Sequence, residues 1–417
     1  MAAYCGLFNG YSKMAMKQTQ TKMFDFSDVG LDFCSGSKNL FPGRFKMMLA
    51  LGYNTKTVSS VTVTGKQVVL TYGVNHGYVA DRVLKLNASN LNGEYAIDSV
   101  TSNTVTLTID NAPASVSGGF TTFVAPLGWQ LVYEQANIHV YKMKHLNDSD
   151  LFVRLCFQNN ASYRNRISVC VGKTFDLATG KITDNSALAE TKDILTPGVF
   201  AWEFSRDASS SANDFTYSQG LSNFGKGAIV GSPYHLAIFN WIQPTEYGVR
   251  VNALLPFHNI GYESLNYPIL IGDSFGAPTS SGANDGQLVQ NVGAAYLGNA
   301  RVLFQEQTNG TDLTLAKYNN SASSFLPSTI DTFNTTTANL PATYIYGNGQ
   351  FVGYIAGGLY FCRYSNANNP SFSPSTLPSS QMDVDLKAKL IMHGFCAGSN
   401  GQRLYVVSPI EEIKIGY

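Results

Sequence analysis

The sequence predicts an all-β protein: a β-sandwich body, an inserted small β-barrel and one short helix. Three observations carry this expectation. Between Val61 and Phe123, four runs alternate apolar and polar residues with period two: Val68 to Tyr72, Arg82 to Leu86, Tyr95 to Val100 and Val105 to Ile109. From Trp129 onward, strand-like runs follow one another across short turns, beginning WQLVYE, IHVYKM and LFVRLCFQ. Only one stretch, Phe41 to Leu51, keeps helical spacing, with Phe41, Phe45, Met48 and Leu49 at three- and four-residue steps and Gly52 as its stop.

Taken in order, residues 1–36 lack periodicity and read as an extended arm, so residues 1–56 are assigned to the arm and helix of the body. Residues 57–124 form the barrel. Its joints, Asn75-His76-Gly77, Asn92-Gly93 and Ser102-Asn103, hold residue types that tolerate positive φ and are read as hairpin turns. Leu51-Gly52-Tyr53 before this segment is echoed by Leu127-Gly128-Trp129 after it, which marks it as an insertion that serves as a spacer or docking module. Residues 125–275 supply the sandwich, continuing through RISVCVGKTFD, FAWEFS, HLAIFNWI, YGVRVNALL and YPILIG. Residues 276–417 form a β-rich C-terminal part, with strands near Arg301–Phe304, Leu313–Tyr318, Tyr344–Tyr346, Gly358–Cys362 and Arg403–Val407, and a Ser/Pro/Asn-rich loop over 366–381.

Charge excludes some partners. The 28 basic residues balance the 28 acidic ones, so no field draws nucleic acid or an anionic membrane to the chain. Charged residues make up 13% of the chain, about half the usual share, leaving a surface solvated by hydroxyls and amides that resists association weakly. That favours a subunit packed among neighbours, a homo-oligomer in a symmetric assembly. The first residues, MAAYCGLFNGYSK, lack the basic and apolar blocks of a secretory leader, and no apolar run reaches membrane-span length. The expected product is made in the cytoplasm, with its six cysteines as buried free thiols.

Chemical motifs are sparse. Gly272-Asp273-Ser274-Phe275-Gly276 has the form G-x-S-x-G directly after a strand, where a nucleophile elbow belongs, and Asp383 or Asp385 with His393 would complete the order of a hydrolase triad. The following APTSSGANDGQ makes a poor helix, so a turn at a strand end is the favoured reading and an esterase acting on surface polysaccharide the lesser one. His139 and His145 lie six residues apart without a third ligand, so no metal, cofactor or catalytic residue is assigned. Trp202, Phe239 and Trp241 alternate as core residues, whereas Tyr247, Tyr262 and Tyr267 fall in loops and are the candidate interaction surface, for another subunit or for host-surface glycan. Lys173 and Lys181 flank a turn and read as solvated.

The rhythm of residues 61–123 resembles the small β-barrel insert of ubiquitin-activating enzymes, their first catalytic-cysteine half-domain, which has look-alikes in bacteriophage tail proteins. The run from Ser232 to Asp273, with aromatic strand Tyr234–Trp241, Arg-bearing strand Gly248–Leu255, aromatic loop Pro256–Tyr267 and the run Tyr267-Pro268-Ile269-Leu270-Ile271-Gly272, resembles a segment of phage tail and baseplate proteins. The resemblance implies a structural protein of the virion whose partners are other tail or baseplate subunits. It also leaves room for a receptor-binding fibre or tip.

Overall fold

The helix forms where its spacing places it, and what it packs against explains why it is kept in a β-rich chain. In this computed structural model it runs as an α-turn, Phe41–Lys46, continued by π-helical Met47–Leu51. Its buried stripe of Phe41, Phe45, Met48 and Leu49 meets Phe26, Phe33, Phe157 and Phe204 in a ring cluster with centroids 4.0–6.5 Å apart. The structure describes residues 21–188, 193–198, 200–205, 225–242, 249–274, 295–304, 335–339, 342–345, 350–364, 378–383, 388–397 and 402–410. Two of those rings, with Phe24 beside them in the sequence, correct the reading of the described residues 21–36 as part of an arm; residues 1–20 lie outside the described residues. Lys22–Asp25 is a strand, and Phe24, Phe26 and Phe33 are core residues, since two or three aromatics per turn of chain suffice for burial without any period.

All named strands pair antiparallel. One seven-stranded sheet is drawn wholly from residues 53–124, in the order Asn92–Ala96, Val83–Asn87, Thr121–Val124, Tyr53–Thr64, Gln67–Tyr72, Thr104–Thr108, Ser99–Val100. Its two outermost strands are consecutive in the chain, so the sheet closes on itself. The switch of partners falls at Ile97-Asp98: Ile97 donates to the Arg82 carbonyl at 2.8 Å, and Asp98 to that of Thr106 at 3.0 Å. Val58, Val68, Leu70, Leu84, Leu86, Ile97, Val105 and Leu107 fill the interior. Two of the three predicted hairpin joints are corrected. Asn92 pairs with Asn87 inside the ladder, so the turn lies at residues 88–91. Asn75-His76-Gly77 lies in a crossover loop, because the strand after it pairs with Asn92–Ala96 and Thr121–Val124 rather than with Gln67–Tyr72. Ser102-Asn103 turns as expected.

The two ends of this segment meet. Tyr53 pairs with Val124, and Leu127 and Trp129 donate to the carbonyls of Met48 and Leu49, each at 2.9 Å. Gly52 makes the corner with φ +80° and ψ 175°, and a Cβ there would lie 2.6 Å from the Val124 carbonyl oxygen and 2.4 Å from the Phe123 ring. Because that backbone region is nearly exclusive to glycine, Gly52→Ala is expected to cost at least about 1–3 kcal/mol in urea unfolding. A buried ion pair ties the barrel to the body: Arg82 Nε and a terminal nitrogen contact the two Asp28 oxygens at 2.7 and 2.8 Å, and the Tyr53 hydroxyl donates to Asp28 at 2.7 Å. Lys22 with Glu94 (2.7 Å) and Lys389 with Asp81 add pairs across the same boundary.

The body is sandwich-like and has three layers. The middle one is a ten-stranded sheet: Lys22–Asp25, Gly227–Ser232, His235–Trp241, Val249–Leu255, Ile269–Ile271, Ala295–Leu297, Ala300–Phe304, Ala342–Ile345, Gln350–Ile355, Phe257–Asn259. Over Gly227–Ser232, His235–Trp241, Val249–Leu255 and Ile269–Ile271 it contributes to cores on both faces. Along it Ile229, Leu236, Ile238, Leu254 and Leu270 join the core shared with the helix, whereas Val230, Ala237, Phe239, Val251, Ala253 and Ile271 join a second core. Period-two alternation between apolar residues of both faces reads in sequence as near-continuous hydrophobicity. Val249–Leu255 and Phe257–Asn259 are separated only by Pro256 yet stand fourth and last in the order, so the sheet must curl round.

Against the first face lies a six-stranded sheet, Asp273–Ser274, Phe200–Glu203, Arg166–Gly172, Asp150–Phe157, Ile138–Lys144, Gln130–Gln135. Against the second lies a five-stranded sheet, Thr335–Asn339, Tyr360–Tyr364, Gln402–Pro409, Ala388–Ala397, Ser379–Asp383. The predicted strand at Leu313–Tyr318 lies outside the described residues. No described helix is long and apolar enough to cross a membrane.

Candidate interaction surface

The curl of the middle sheet sets a short strand, Phe257–Asn259, on Gln350–Ile355, with His258 opposite Tyr354. Phe257 and Ile355 point into the second core, so His258 and Tyr354 face outward, their rings 4.9 Å apart. Ile260 continues the pairing by donating to the Val352 carbonyl at 2.7 Å, two residues on from His258. Ile260 and Tyr354 are 46% and 43% exposed, values that mark them as uncovered apolar surface. Tyr262 is half-buried against the second core, its N–H donating to Asn259 Oδ1 at 3.2 Å. A second uncovered group, Val74 and Val79 with Val29 packed beside Gly77, lies on the crossover loop of the barrel.

Of the tyrosines expected at the surface, Tyr262 is half-buried, Tyr247 lies outside the described residues, and Tyr267 is buried. Tyr267 corrects the expectation because its loop folds inward. Its hydroxyl donates to Asp184 at 2.5 Å, and Lys173, exposed as expected, stands 4.4 Å over its ring. Burial and the adjacent Asp184 carboxylate both raise the Tyr267 hydroxyl above its ordinary pKa. Burial works against the charge of Asp184, yet hydrogen bonds from Tyr267 and from the Lys173 and Ser186 amides bring that carboxyl below its usual range. Ile260 and Tyr354, which form the patch, were missed; one apolar residue before a glycine and one tyrosine in an apolar strand carry no sequence signal of exposure.

The G-x-S-x-G string has a structural explanation. The strand Ile269–Ile271 belongs to the middle sheet, and Asp273–Ser274 pairs with Phe200–Ala201 in the six-stranded sheet, so the chain changes layers at Gly272. A Cβ at Gly272 would come within 2.7 Å of both the Phe200 and Trp202 rings, and Trp202 Nε1 donates to the Ile271 carbonyl at 2.8 Å. The glycine lets two layers touch, and Ser274 is a paired strand residue. His393 belongs to the five-stranded sheet, against the opposite face of the middle layer, so sheet placement separates it from Ser274. Asp383 ends an outer strand of that sheet, and Asp385 lies outside the described residues.

The histidines are also held singly. His139 is buried, with Nδ1 2.9 Å from the Tyr141 hydroxyl and Nε2 3.6 Å from Glu134, and burial pushes it down to about 4 despite Glu134. His145 contacts Asn147 at 3.1 Å, in the turn after the strand that holds His139. His76 is buried in the crossover loop, accepting from the Tyr78 amide at 2.9 Å and donating to the Thr104 carbonyl at 3.1 Å. Among the described residues no group of three acidic, histidine or cysteine side chains could hold a metal. Cys34, Cys156 and Cys170 are buried free thiols, and burial raises Cys34 to about 12.

No protein-family model matches this sequence, and no curated protein matches it either.

Proposed function

We propose that the protein is a structural component of a bacteriophage virion, of the tail or baseplate, that assembles with copies of itself and with other subunits. One observation supports the reading most. The run Ser232 to Asp273, on which the resemblance to tail and baseplate proteins rests, supplies four strands of the middle layer, of which His235–Trp241, Val249–Leu255 and Ile269–Ile271 are neighbours and Phe257–Asn259 closes the far end. The weak charge and the uncovered Ile260–Tyr354 patch agree with a subunit that is covered by a neighbour. Mass spectrometry of purified particles, with immunogold labelling in electron micrographs, tests it; absence of the chain from every particle would refute it.

The outward pairing of Tyr354 with His258 favours one second reading, a receptor-binding fibre or tip that stacks aromatic side chains on host glycan. Signal on a glycan array from the isolated protein would select this reading. Ile260→Asp with Tyr354→Ser is expected to leave the fold intact and to lower self-association or incorporation into particles at least about tenfold, as truncation of interface anchors does. Sedimentation of wild-type and variant protein at matched concentrations measures it.

A further inference from the structure

The crossover loop of the barrel, residues 73–81, turns on one histidine whose ring nitrogens have opposite and fixed roles. Nε2 of His76 lies 3.1 Å from the Thr104 carbonyl, which only accepts, so this nitrogen carries the proton. Nδ1 takes the Tyr78 amide at 2.9 Å, and an amide only donates, so Nδ1 must stay bare. The buried ring lies between Tyr72 and Tyr78, with centroids 5.0 and 5.2 Å away. Asn54 Nδ2 donates to the His76 carbonyl at 2.9 Å, and the Tyr78 hydroxyl is 2.8 Å from the Asn54 carbonyl. Gly77 sets the loop against the body, where an added Cβ would stand 3.0 Å from Val29.

A second proton on this ring has one place to go, Nδ1, where it would face the Tyr78 N–H, donor against donor. Three other histidines escape this conflict: Nδ1 of His139 and of His235 faces a hydroxyl that can turn to accept, and Nδ1 of His145 faces the Asn147 amide oxygen. The strands packed against His76 bring Tyr72, the Thr101 and Thr104 main chain and Lys56, the one charged group among the described residues that acts on the ring, and it opposes a second proton. Asp81 at the end of the loop is paired with Lys389, and Asp28 beside Val29 with Arg82. We propose that residues 73–81 form a proton-released latch, in which charging His76 frees the loop from the barrel and from Val29 and uncovers Tyr72 and Tyr78 at the junction of barrel and body. The inference stands whether or not the chain belongs to a virion.

The direction follows from burial, which with Lys56 brings His76 below its ordinary 6.5 against the opposing main-chain contacts of Thr104 and Thr101. Burial also holds the flanking phenols protonated, Tyr72 up to about 12, so neither supplies a countercharge. With the ring depressed in the closed state, the latch is at full strength above about 6.5 and weakens as pH falls towards the depressed value. One proton taken up on opening makes the opening equilibrium up to about tenfold more favourable per pH unit within that window.

Hydrogen exchange with mass spectrometry on the full chain between about pH 7.5 and 4.5, corrected for intrinsic rates, tests the latch. Amides of residues 73–81 are expected to lose protection below about 6.5, while those of the strands Gln67–Tyr72 and Thr104–Thr108 keep theirs. His76→Asn is expected to flatten that response, because its amide oxygen can accept from Tyr78 at every pH in the range. Unchanged protection of the loop down to about pH 4.5, simultaneous loss across loop and strands, or an identical response in His76→Asn would each overturn the proposal. Titration of the His76 ring by NMR in the wild-type protein decides the matter if the variant does not fold: a midpoint at or above about 6.5 would overturn it, and a midpoint below that would support it.

Discussion

Arg82→Met is expected to cost about 3–5 kcal/mol of stability, the penalty for leaving one partner of a buried ion pair uncompensated. Asp28 and Arg82 are each only 5% exposed, so water cannot replace the lost guanidinium. The two contacts at 2.7 and 2.8 Å form a fork in which both carboxylate oxygens are used. Tyr53 would keep its bond to Asp28, but burial and that same carboxylate already hold the Tyr53 phenol protonated well above its ordinary range, so it supplies no countercharge. Urea unfolding should show the loss, and Asp28→Asn combined with Arg82→Met should recover part of it by removing the stranded charge. A double variant no better than Arg82→Met alone would mean that the stranded Asp28 charge is not the source of the loss, leaving the other contacts of Arg82, among them Nη1 to Met23 Sδ at 3.4 Å. Removing residues 57–124 strands Asp28 in the same way, so a barrel-less chain should be made with Asp28→Asn.

Phe45→Ala should be of similar size, about 3–5 kcal/mol, because it removes a fully buried ring from a site that cannot collapse. Phe45 meets Phe33, Phe41, Phe157 and Phe204 at centroid distances of 5.9, 5.4, 5.5 and 5.8 Å. Those neighbours come from a loop, the helix, the six-stranded sheet and the segment after Phe200–Glu203, so no single backbone movement fills the space. Phe45→Leu keeps most of the volume and should cost less than about 1.5 kcal/mol. Thermal and urea midpoints of the wild type and the two variants, compared in one buffer, measure the costs; a Phe45→Ala midpoint equal to that of the wild type would show that the ring has no role in stability.

The sequence made the all-β class and the helix legible because both depend on local period. Phe41, Phe45, Met48 and Leu49 could only share one helical face, and runs such as RISVCV and HLAIFNW could only be strands buried on both faces. What local period cannot carry is partner choice. Asn92-Gly93 looks like a hairpin turn, yet the ladder continues through it, because closing the barrel demands a strand long enough to pair with Val83–Asn87 and then, past Ile97, with Thr104–Thr108. The strand Lys22–Asp25 was invisible because its pairing partner, Gly227–Ser232, lies two hundred residues away in the sequence. Tyr262 and Tyr267 looked alike as aromatics in a loop, yet Tyr262 is half-buried and Tyr267 fully buried, in contact with Asp184 and Lys173 from a distant turn.

That long-range pairing of Lys22–Asp25 with Gly227–Ser232 also dictates an order of events during synthesis. The barrel has all its strands once Val124 has left the ribosome, but the edge on which Asp28 and its aromatic neighbours settle is not made until Ser232. At ordinary elongation rates the gap of about a hundred residues lasts roughly 5–20 s. Through that interval a finished barrel waits on a nascent chain with the ring cluster still unclosed, which makes this the stage at which a chaperone would find the most exposed apolar surface.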